Sequence, residues 1–534
     1  MATPSLAMIP SAIADSKVYS VLPNNGDGDF TFNRDSSATR VGQNGLIQTV
    51  GYFGSELVTN GDFDGNATGW TLGAGVTYGS NNIVFTSSSS NTSSTIPSVV
   101  IGTTYLVIFS ISNYTAGTIR SNISGTVNGS EHSGNGTKTD YITANATGGT
   151  IYITSTGFTG SIDNVSVKEV TGDQPRLNYD ISNGVVQSCP SLLLEPASTN
   201  LITYSEAFDN AYWTKSGSSV ASGFTSPSGD LSAFKFAEDG TNSYHYCRRL
   251  TVAVASASIV TLSLFAKKSE NSYVALFEGR SGGTVFFNLE TKTVVSASGG
   301  ASGTIEQLPN DWCKIALTVT VPSTIANFEI YNSNDGTSLT YQGVSGNGVY
   351  IWGAQLEQLS YATSYIPTLS GASQTRAAES CFGAGTASTF NDSEGVLYAE
   401  ISGFVDIDDY RMISLNAGGS ANTLFLGIRN DTGNVYFYLV SGGVVQSNYI
   451  STVNSTNTNV KLAVKYKTND VSFWVNGVEL YTDASATMIT GLNQLEFGYG
   501  NGEPGSYPFY GKCKDLRVYN EALTDAQLQT LTTL

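Results

Sequence analysis

Along most of the chain, apolar residues alternate with small or polar ones in short runs that break at clusters of Gly, Asn, Asp and Ser. A period of two puts successive side chains on opposite faces of a half-buried strand, so the pattern predicts an all-β protein. Thr104-Tyr-Leu-Val-Ile-Phe-Ser-Ile111, Thr150-Ile-Tyr-Ile-Thr154 and Thr261-Leu-Ser-Leu-Phe-Ala266 show it well. Further strands are predicted at 394–401, 422–428, 435–440, 459–466 and 471–475. Asn476-Gly477 follows the last of these and predicts a tight hairpin, because both residues tolerate positive φ. One segment reads as a helix: Thr524 stands as N-cap, Asp525 in the first turn, and Ala526, Leu528 and Leu531 recur at helical spacing.

An internal repeat divides the chain. Glu56-Leu-Val-Thr-Asn-Gly-Asp-Phe63, leading to Gly69-Trp70-Thr71, reads like Thr199-Asn-Leu-Ile-Thr-Tyr-Ser-Glu-Ala-Phe208, leading to Tyr212-Trp213-Thr214. Each copy opens with an apolar strand, turns, and reaches a Trp-Thr pair before a long series of short strands. The copies close with alternating runs at 160–170 and 349–357. A third unit begins after Pro367. The pattern predicts three consecutive β-sandwich or jelly-roll domains: 56–172, 173–378 (a linker plus the second sandwich) and 379–534, after a short N-terminal segment, 1–55.

Composition narrows the functional classes. At 534 residues the chain exceeds one core, given roughly 100–200 residues per domain. Charged residues make up only 13%, while 40% are apolar, which disfavours both disorder and long solvated helices. The net charge of −18 and the lack of a basic stripe argue against nucleic-acid binding. Cys189, Cys247, Cys313, Cys381 and Cys513 are scattered and odd in number, with no CxxC pair, which predicts a reducing compartment and no zinc site. Residues 1–17 lack the basic flank and apolar run of a signal peptide. No stretch approaches the ~20 apolar residues of a membrane helix, so no membrane insertion is expected.

No Gly-x-Ser-x-Gly elbow, His-Glu-x-x-His or P-loop occurs. Of the two histidines, His132 sits in a Ser/Gly-rich turn and His245 in a strand-like run. The chain is therefore expected not to be an enzyme. A glycosidase's two carboxylates need not be close in sequence, so a glycan-degrading enzyme stays open as an alternative. Sugar binding would use aromatic platforms beside polar side chains, and the candidates are Trp70, Trp213, Tyr410, Tyr436 and Tyr438. Trp70 and Trp213 read more readily as core between two sheets. Trp352 and Trp474, inside alternating strands, read as core, and Trp312 opens a strand. Ca2+ is the one cofactor with candidate ligands: Asn25, Asp27 and Asp29 at alternate positions, and Asp406, Asp408 and Asp409 in a loop of the third unit.

Three resemblances sharpen this reading. Val471-Ser-Phe-Trp-Val-Asn-Gly-Val-Glu-Leu480 and the closing Arg517-Val-Tyr-Asn-Glu-Ala-Leu-Thr-Asp525 resemble concanavalin A-like, laminin-G-like jelly rolls, a match that speaks for fold rather than ligand. Asn60-Gly61-Asp62-Phe63 with Trp70 resembles carbohydrate-binding-module sandwiches; the second copy departs, with Tyr204-Ser205-Glu206 at the turn. Segment 29–47, Pro175-Arg-Leu-Asn-Tyr179, Cys189-Pro-Ser-Leu-Leu-Leu-Glu-Pro196, Ala362-Thr-Ser-Tyr-Ile-Pro-Thr368 and Thr375-Arg376 resemble, in that order, segments of bacteriophage tail-fibre and other virion proteins. This last resemblance covers 1–55 and 175–378. It implies a virion protein whose N-terminal segment docks on other virion proteins and whose sandwiches contact host surface glycans. It also implies a homo-oligomer, a trimer being the usual fibre symmetry. A head fibre or capsid decoration is the alternative. In that family the first two segments lie close together, so 56–172 is expected to be an insertion, with residues 20–50 packed beside 175–200.

Overall fold

The computed structural model describes residues 2–534 apart from 102, 125–126, 172, 369–371, 405–409, 430 and 500–506. Strands occupy 56% of the chain and helix 2%, so the protein is all-β. Among the described residues no helix is long and apolar enough to cross a membrane.

The first sandwich is one nine-stranded sheet folded over itself. Its two longest strands, Thr104–Ile123 and Thr150–Thr171, run antiparallel, with register shifts between Ser112 and Ala116 and between Ala116 and Thr118. Such bulges let a strand bend from one layer into the other. Gly117 and Gly157 meet at the bend with positive φ, and a Cβ on Gly117 would lie 2.3 Å from the Gly157 carbonyl carbon and oxygen. The entering strand Tyr52–Glu56 pairs with the leaving one (Tyr52 opposite Thr171), so the sandwich's two ends adjoin. The second sandwich packs two six-stranded antiparallel sheets around Trp213, Phe236, Leu264, Leu276, Phe328 and Ile351.

The third unit is a jelly roll. A five-stranded sheet (Arg411–Asn416, Thr423–Ile428, Asn434–Ser441, Val444–Asn454 and Gln494–Glu496) faces an eight-stranded one. Asn476 and Gly477 form the hairpin at φ 49° and 82°. The C-terminal helix Asp525–Thr532 carries a Thr524/Gln527 capping box. It buries Leu528, Leu531 and Thr532, while Ala526 is exposed.

Strands of the N-terminal segment pair within the third unit. Leu6–Met8 pairs with one half of Gly511–Tyr519, and Val185–Leu194 pairs with the other half along the same edge. Phe30–Asn33 pairs with Ser380–Phe382. Leu6, Met8, Val18, Phe30, Phe32, Leu192 and Leu194 are buried in one core with the jelly roll. Without them the strand Gly511–Tyr519 would present an open edge and the core an open side.

The segments between sandwiches converge on a buried ion network. Arg176 donates through Nε to Glu379 (2.8 Å), through Nη2 to the same carboxylate and through Nη1 to Glu195 (2.7 Å). Arg34 Nη1 reaches Glu379 at 2.9 Å, and Arg376 Nη1 reaches Glu195 at 3.0 Å. All five side chains are at most 2% exposed. The same guanidinium groups donate to the carbonyl oxygens of Ser36, Gln174, Thr39 and Pro196, so each arginine also holds backbone from another segment. Asp173 Oδ1 accepts from the Asp35 amide (2.8 Å), and Asn178 Oδ1 from the Val41 amide (2.9 Å), so residues 34–41 lie against 173–178 where the first sandwich leaves and rejoins the chain. Burial alone would raise the Glu195 carboxyl, yet Arg376 and Arg176 hold it well below the usual carboxylate range.

Removing one member leaves the others charged and dry. Glu379→Ala is expected to destabilise the fold by about 3–5 kcal/mol in denaturant unfolding, because Arg34 loses its ion-pair partner and Arg176 one of its two. A loss below about 1 kcal/mol would mean the network is not essential.

Candidate functional site

Along the five-stranded sheet of the jelly roll, alternate residues face opposite ways. Ile413, Leu424, Leu426, Phe437 and Leu439 point into the main core, whereas Met412, Phe425 and Tyr436 form a separate cluster on the outer face. Register sets the outer rows: Glu496, Ser414, Phe425, Tyr438 and Asn448 lie opposite one another in turn, and beside them Met412, Gly427, Tyr436 and Ile450. Gly427 gives the Tyr436 ring its place; a Cβ there would sit 3.2 Å from Tyr436 Cε1 and 2.3 Å from the Arg411 carbonyl oxygen.

The aromatic rings pack into one surface. Tyr438 stacks on Phe425 (5.2 Å, 17°), and Tyr499 meets Phe425 edge-on at 5.2 Å. Tyr410 contacts Tyr436 at 5.7 Å, and Tyr507 contacts Tyr410 at 5.7 Å. Arg429 lies 6.0 Å above the Tyr410 ring while bonding Asp431 through both Nε and Nη2 (2.8 and 2.5 Å). Its hydrogen bonds hold the Asp431 carboxyl down at about 2, so the pair stays ionised and mutually neutral. Tyr410, Tyr438 and Tyr499 are half-buried, and Tyr507 is exposed.

Tyr436 is 2% exposed, and its hydroxyl has no hydrogen-bond partner among the described residues. Burial raises its ionisation well above the usual phenol range, so at neutral pH it is a proton donor that no described residue accepts from. A buried unsatisfied hydroxyl costs roughly 1–3 kcal/mol. Farther along the face the polar groups are matched: Asn416 Nδ2 donates to Glu496 (2.7 Å), and Gln494 Nε2 donates to Asn416 Oδ1 (2.8 Å).

Of the sequence-predicted residues, Tyr410, Tyr436 and Tyr438 thus come together. Trp70 and Trp213 do not belong to any platform. They are 8% and 1% exposed, packed on Phe63 and Phe208 at 5.1 and 5.0 Å. Each indole donates to a carbonyl of its own turn, Asn60 at 3.0 Å and Tyr204 at 2.9 Å. The repeat therefore encodes a core staple at the mouth of each sandwich. Phe425, Arg429, Tyr499 and Tyr507 were missed, although two tyrosines flanking the glycine-rich run 500–506 were a readable signal.

At the first calcium candidate, Asn25 and Asp27 bond each other, and Asp29 accepts from the Ser20 amide (3.0 Å) and faces Lys17 at 3.6 Å. Asp406, Asp408 and Asp409 lie outside the described residues. Among the described residues no group of three or more His, Cys, Asp or Glu is placed to hold a metal.

The histidines are likewise engaged. His132 Nε2 lies 3.0 Å from Asp140, and the Ser121 hydroxyl donates to that same carboxylate rather than to the imidazole. His245 is fully buried, with carbonyl oxygens 2.6 Å and 3.2 Å from its two nitrogens. Two carboxyls interact at the turn of the second repeat. Glu206 accepts from Tyr365 Oη (2.8 Å), and burial together with the Asp230 carboxylate pushes it up to about 8. Lys138 of the first sandwich faces both.

Residues 405–529 match the concanavalin A-like lectin/glucanases superfamily, laminin-G type. No curated protein matches the sequence significantly. The similar solved structures include the Ruminococcus gnavus IT-sialidase CBM40 bound to α2,3-sialyllactose, 21% identical over 28% of this chain and 88% of that one, TM-score 0.25. The NanB sialidase of Streptococcus pneumoniae, in complex with a chlorobenzylammonio-ethanesulfonate, is 14% identical over 28% of this chain and 25% of that one, TM-score 0.24. Domain 4 of AbnA, a GH43 arabinanase of Geobacillus stearothermophilus in complex with arabinotriose, is 15% identical over 29% of this chain and 73% of that one, TM-score 0.23.

The raised Glu206 carboxyl has a pH consequence. Its ordinary value is near 4.5, so between about 4.5 and 8 the folded state keeps a proton that the unfolded state gives up. Its contribution is full below about pH 4.5 and declines as pH rises to about 8. Glu206→Gln, neutral at every pH, is expected to melt higher than wild type at pH 8.5 and alongside it at pH 4. Equal melting at pH 8.5 would show that Glu206 is hydrated and ordinary.

Proposed function

We propose that the protein binds glycans on the outer face of the five-stranded sheet of its jelly roll. The observation that carries this reading is the tyrosine surface around Tyr438 and Tyr410, with the Tyr436 hydroxyl, unpartnered among the described residues, at its base. Aromatic faces stack on the C–H faces of sugars, and a dry hydroxyl gains a full hydrogen bond when a sugar oxygen reaches it. Asn448 and the neutralised Arg429–Asp431 pair add polar contacts at the margin. The match of residues 405–529 to a superfamily of lectins and glucanases supports the same reading.

Binding rather than cleavage is favoured because this surface is aromatic, and neither histidine adjoins a free nucleophile. The wider setting we propose is a bacteriophage virion, with the chain as an oligomeric receptor-binding component, a trimer by the usual fibre symmetry. The tail-fibre-like segments support it: Arg34, Arg176, Glu195 and Arg376 all fall within them and build the buried network. A head-decoration role would use the same construction.

On an oligosaccharide array, Tyr438→Ala is expected to lower retention of the full chain at least tenfold. Tyr436→Phe is expected to weaken binding while leaving the melting temperature unchanged or higher. Binding unaffected by both would place any glycan elsewhere. For the virion setting, gold-labelled antibody against residues 379–534 is expected to decorate purified phage particles at the tail; label on the head supports decoration instead, and unlabelled particles rule out both.

A further inference from the structure

The first sandwich is joined to the rest of the protein by little besides its two crossing strands. Its nine strands pair only with one another, and its core, from Val58 and Phe63 to Val165 and Val167, takes no residue from outside it. Among the described residues, no strand of it packs broadly along a strand elsewhere. The second sandwich, by contrast, packs Leu308, Trp312 and Trp352 with Ile47 and Ile181 of the connecting segments.

The two crossings lie side by side, with Tyr52 opposite Thr171. Just outside that pair the chain is fixed to the body. The Gly51 amide donates to Gln174 Oε1 (3.1 Å). The Asp173 amide donates to Asp15 Oδ1 (2.8 Å), while its carbonyl accepts from Ser16 (2.9 Å) and its Oδ1 from the Asp35 amide (2.8 Å).

What rests against the second sandwich is the edge strand Gly136–Thr143, paired on one side with residues 104–111, and the turn before it. Gly134 approaches Ser222 and Gly136 approaches Leu231; a Cβ on each would lie 3.8 Å from Oγ and 4.0 Å from Cβ. Leu231 nevertheless stays 51% exposed, so these contacts bury little apolar surface. Farther along, Asp140 and Tyr141 line one cavity with Tyr365, Ile366 and Thr375. Lys138 sits half-buried in this contact and faces Asp230, Asp209 and Glu206 of the second sandwich. Among the described residues its ammonium bonds only the Asn135 carbonyl of its own turn, at 3.4 Å. Burial outweighs the pull of the three carboxyls and holds Lys138 below the usual lysine range. The two bodies also carry charge of one sign, since residues 56–171 hold seven Asp and Glu against three Lys and Arg, in a chain of net −18.

From this construction we infer that the first sandwich is a hinged arm, docked on the second sandwich by a weak contact and released from it as a rigid body about the Tyr52–Thr171 pair. Glycine, serine and a desolvated ammonium between like-charged bodies give little to hold the arm, whereas its own sheet and core lose nothing on release. Docked, the arm covers the free edge of Gly136–Thr143. Released, it presents its faces in directions that the jelly roll does not dictate. Lys138 sets the balance, because its charge is the one that docking takes out of water.

The test is small-angle X-ray scattering of the full chain as wild type, Lys138→Met and Lys138→Glu. Lys138 lies outside the sandwich core, and melting curves verify the fold of each variant. Methionine removes the charge that docking desolvates, and glutamate sets a further carboxyl against those of the second sandwich. The radius of gyration is expected to rise in the order Lys138→Met, wild type, Lys138→Glu, by about 5–10% between the extremes. Backbone amide exchange across 136–143 should rise in the same order, and Leu231→Glu, on the other side of the contact, should act as Lys138→Glu does. Equal radii and equal exchange throughout overturn the arm: at the docked value it is fixed, and at a larger value it never docks. A larger radius for Lys138→Met than for wild type overturns the role of Lys138 and makes it the clasp instead.

Discussion

The arrangement of the sandwiches depends on a few charges shut away from water. Arg34, Arg176 and Arg376 meet Glu195 and Glu379 where the connecting segments cross, and Asp173 adjoins Arg34. Apolar packing could hold these segments with comparable strength but little directional preference. A guanidinium bonded to two carboxylates and to backbone carbonyl oxygens accepts few geometries. In a chain with only 13% charged residues, concentrating them here fixes which segment lies beside which, and so where each sandwich starts.

The aromatic face of the jelly roll follows from a simpler constraint. A sheet in a sandwich has one side committed to the core, and its other side is free to be polar. On the five-stranded sheet several outward positions carry rings instead, and Tyr436 Oη is buried among them with no partner among the described residues. The buried Glu278 carboxylate of the second sandwich shows the opposite case, accepting from the amides of Arg280, Ser281 and Asn327.

The strands were legible because alternation is local. Val471–Val475, the Asn476-Gly477 turn and the Thr524 cap needed only neighbouring residues to be read. Partner choice was not: nothing in Leu6-Ala-Met8 announces Leu516–Val518, since register is set by packing across the whole fold. Trp70 and Trp213 look alike as platform or staple in sequence. The difference lies in whether the indole N–H meets solvent or a carbonyl, here Asn60 and Tyr204. The ion network was half visible. Its residues stand as isolated charges in weakly charged segments, yet only their convergence shows that they pair, and convergence is a three-dimensional fact.

The strand Leu6–Met8 has a consequence for how the protein is made. Ser5 and Val518, which bond each other, are 513 residues apart. At about 5–20 residues per second, roughly half a minute to two minutes of synthesis separates them. During that interval the first strand lacks its sheet neighbour and can bond only the nearby backbone of Val21 and Leu22. The first sandwich needs no such wait, since its entering and leaving strands adjoin and all its pairing is internal, so it closes while the ribosome is still translating the rest. The jelly roll closes last, after its final strand emerges, and the nascent chain must keep an apolar strand from pairing with anything else until then.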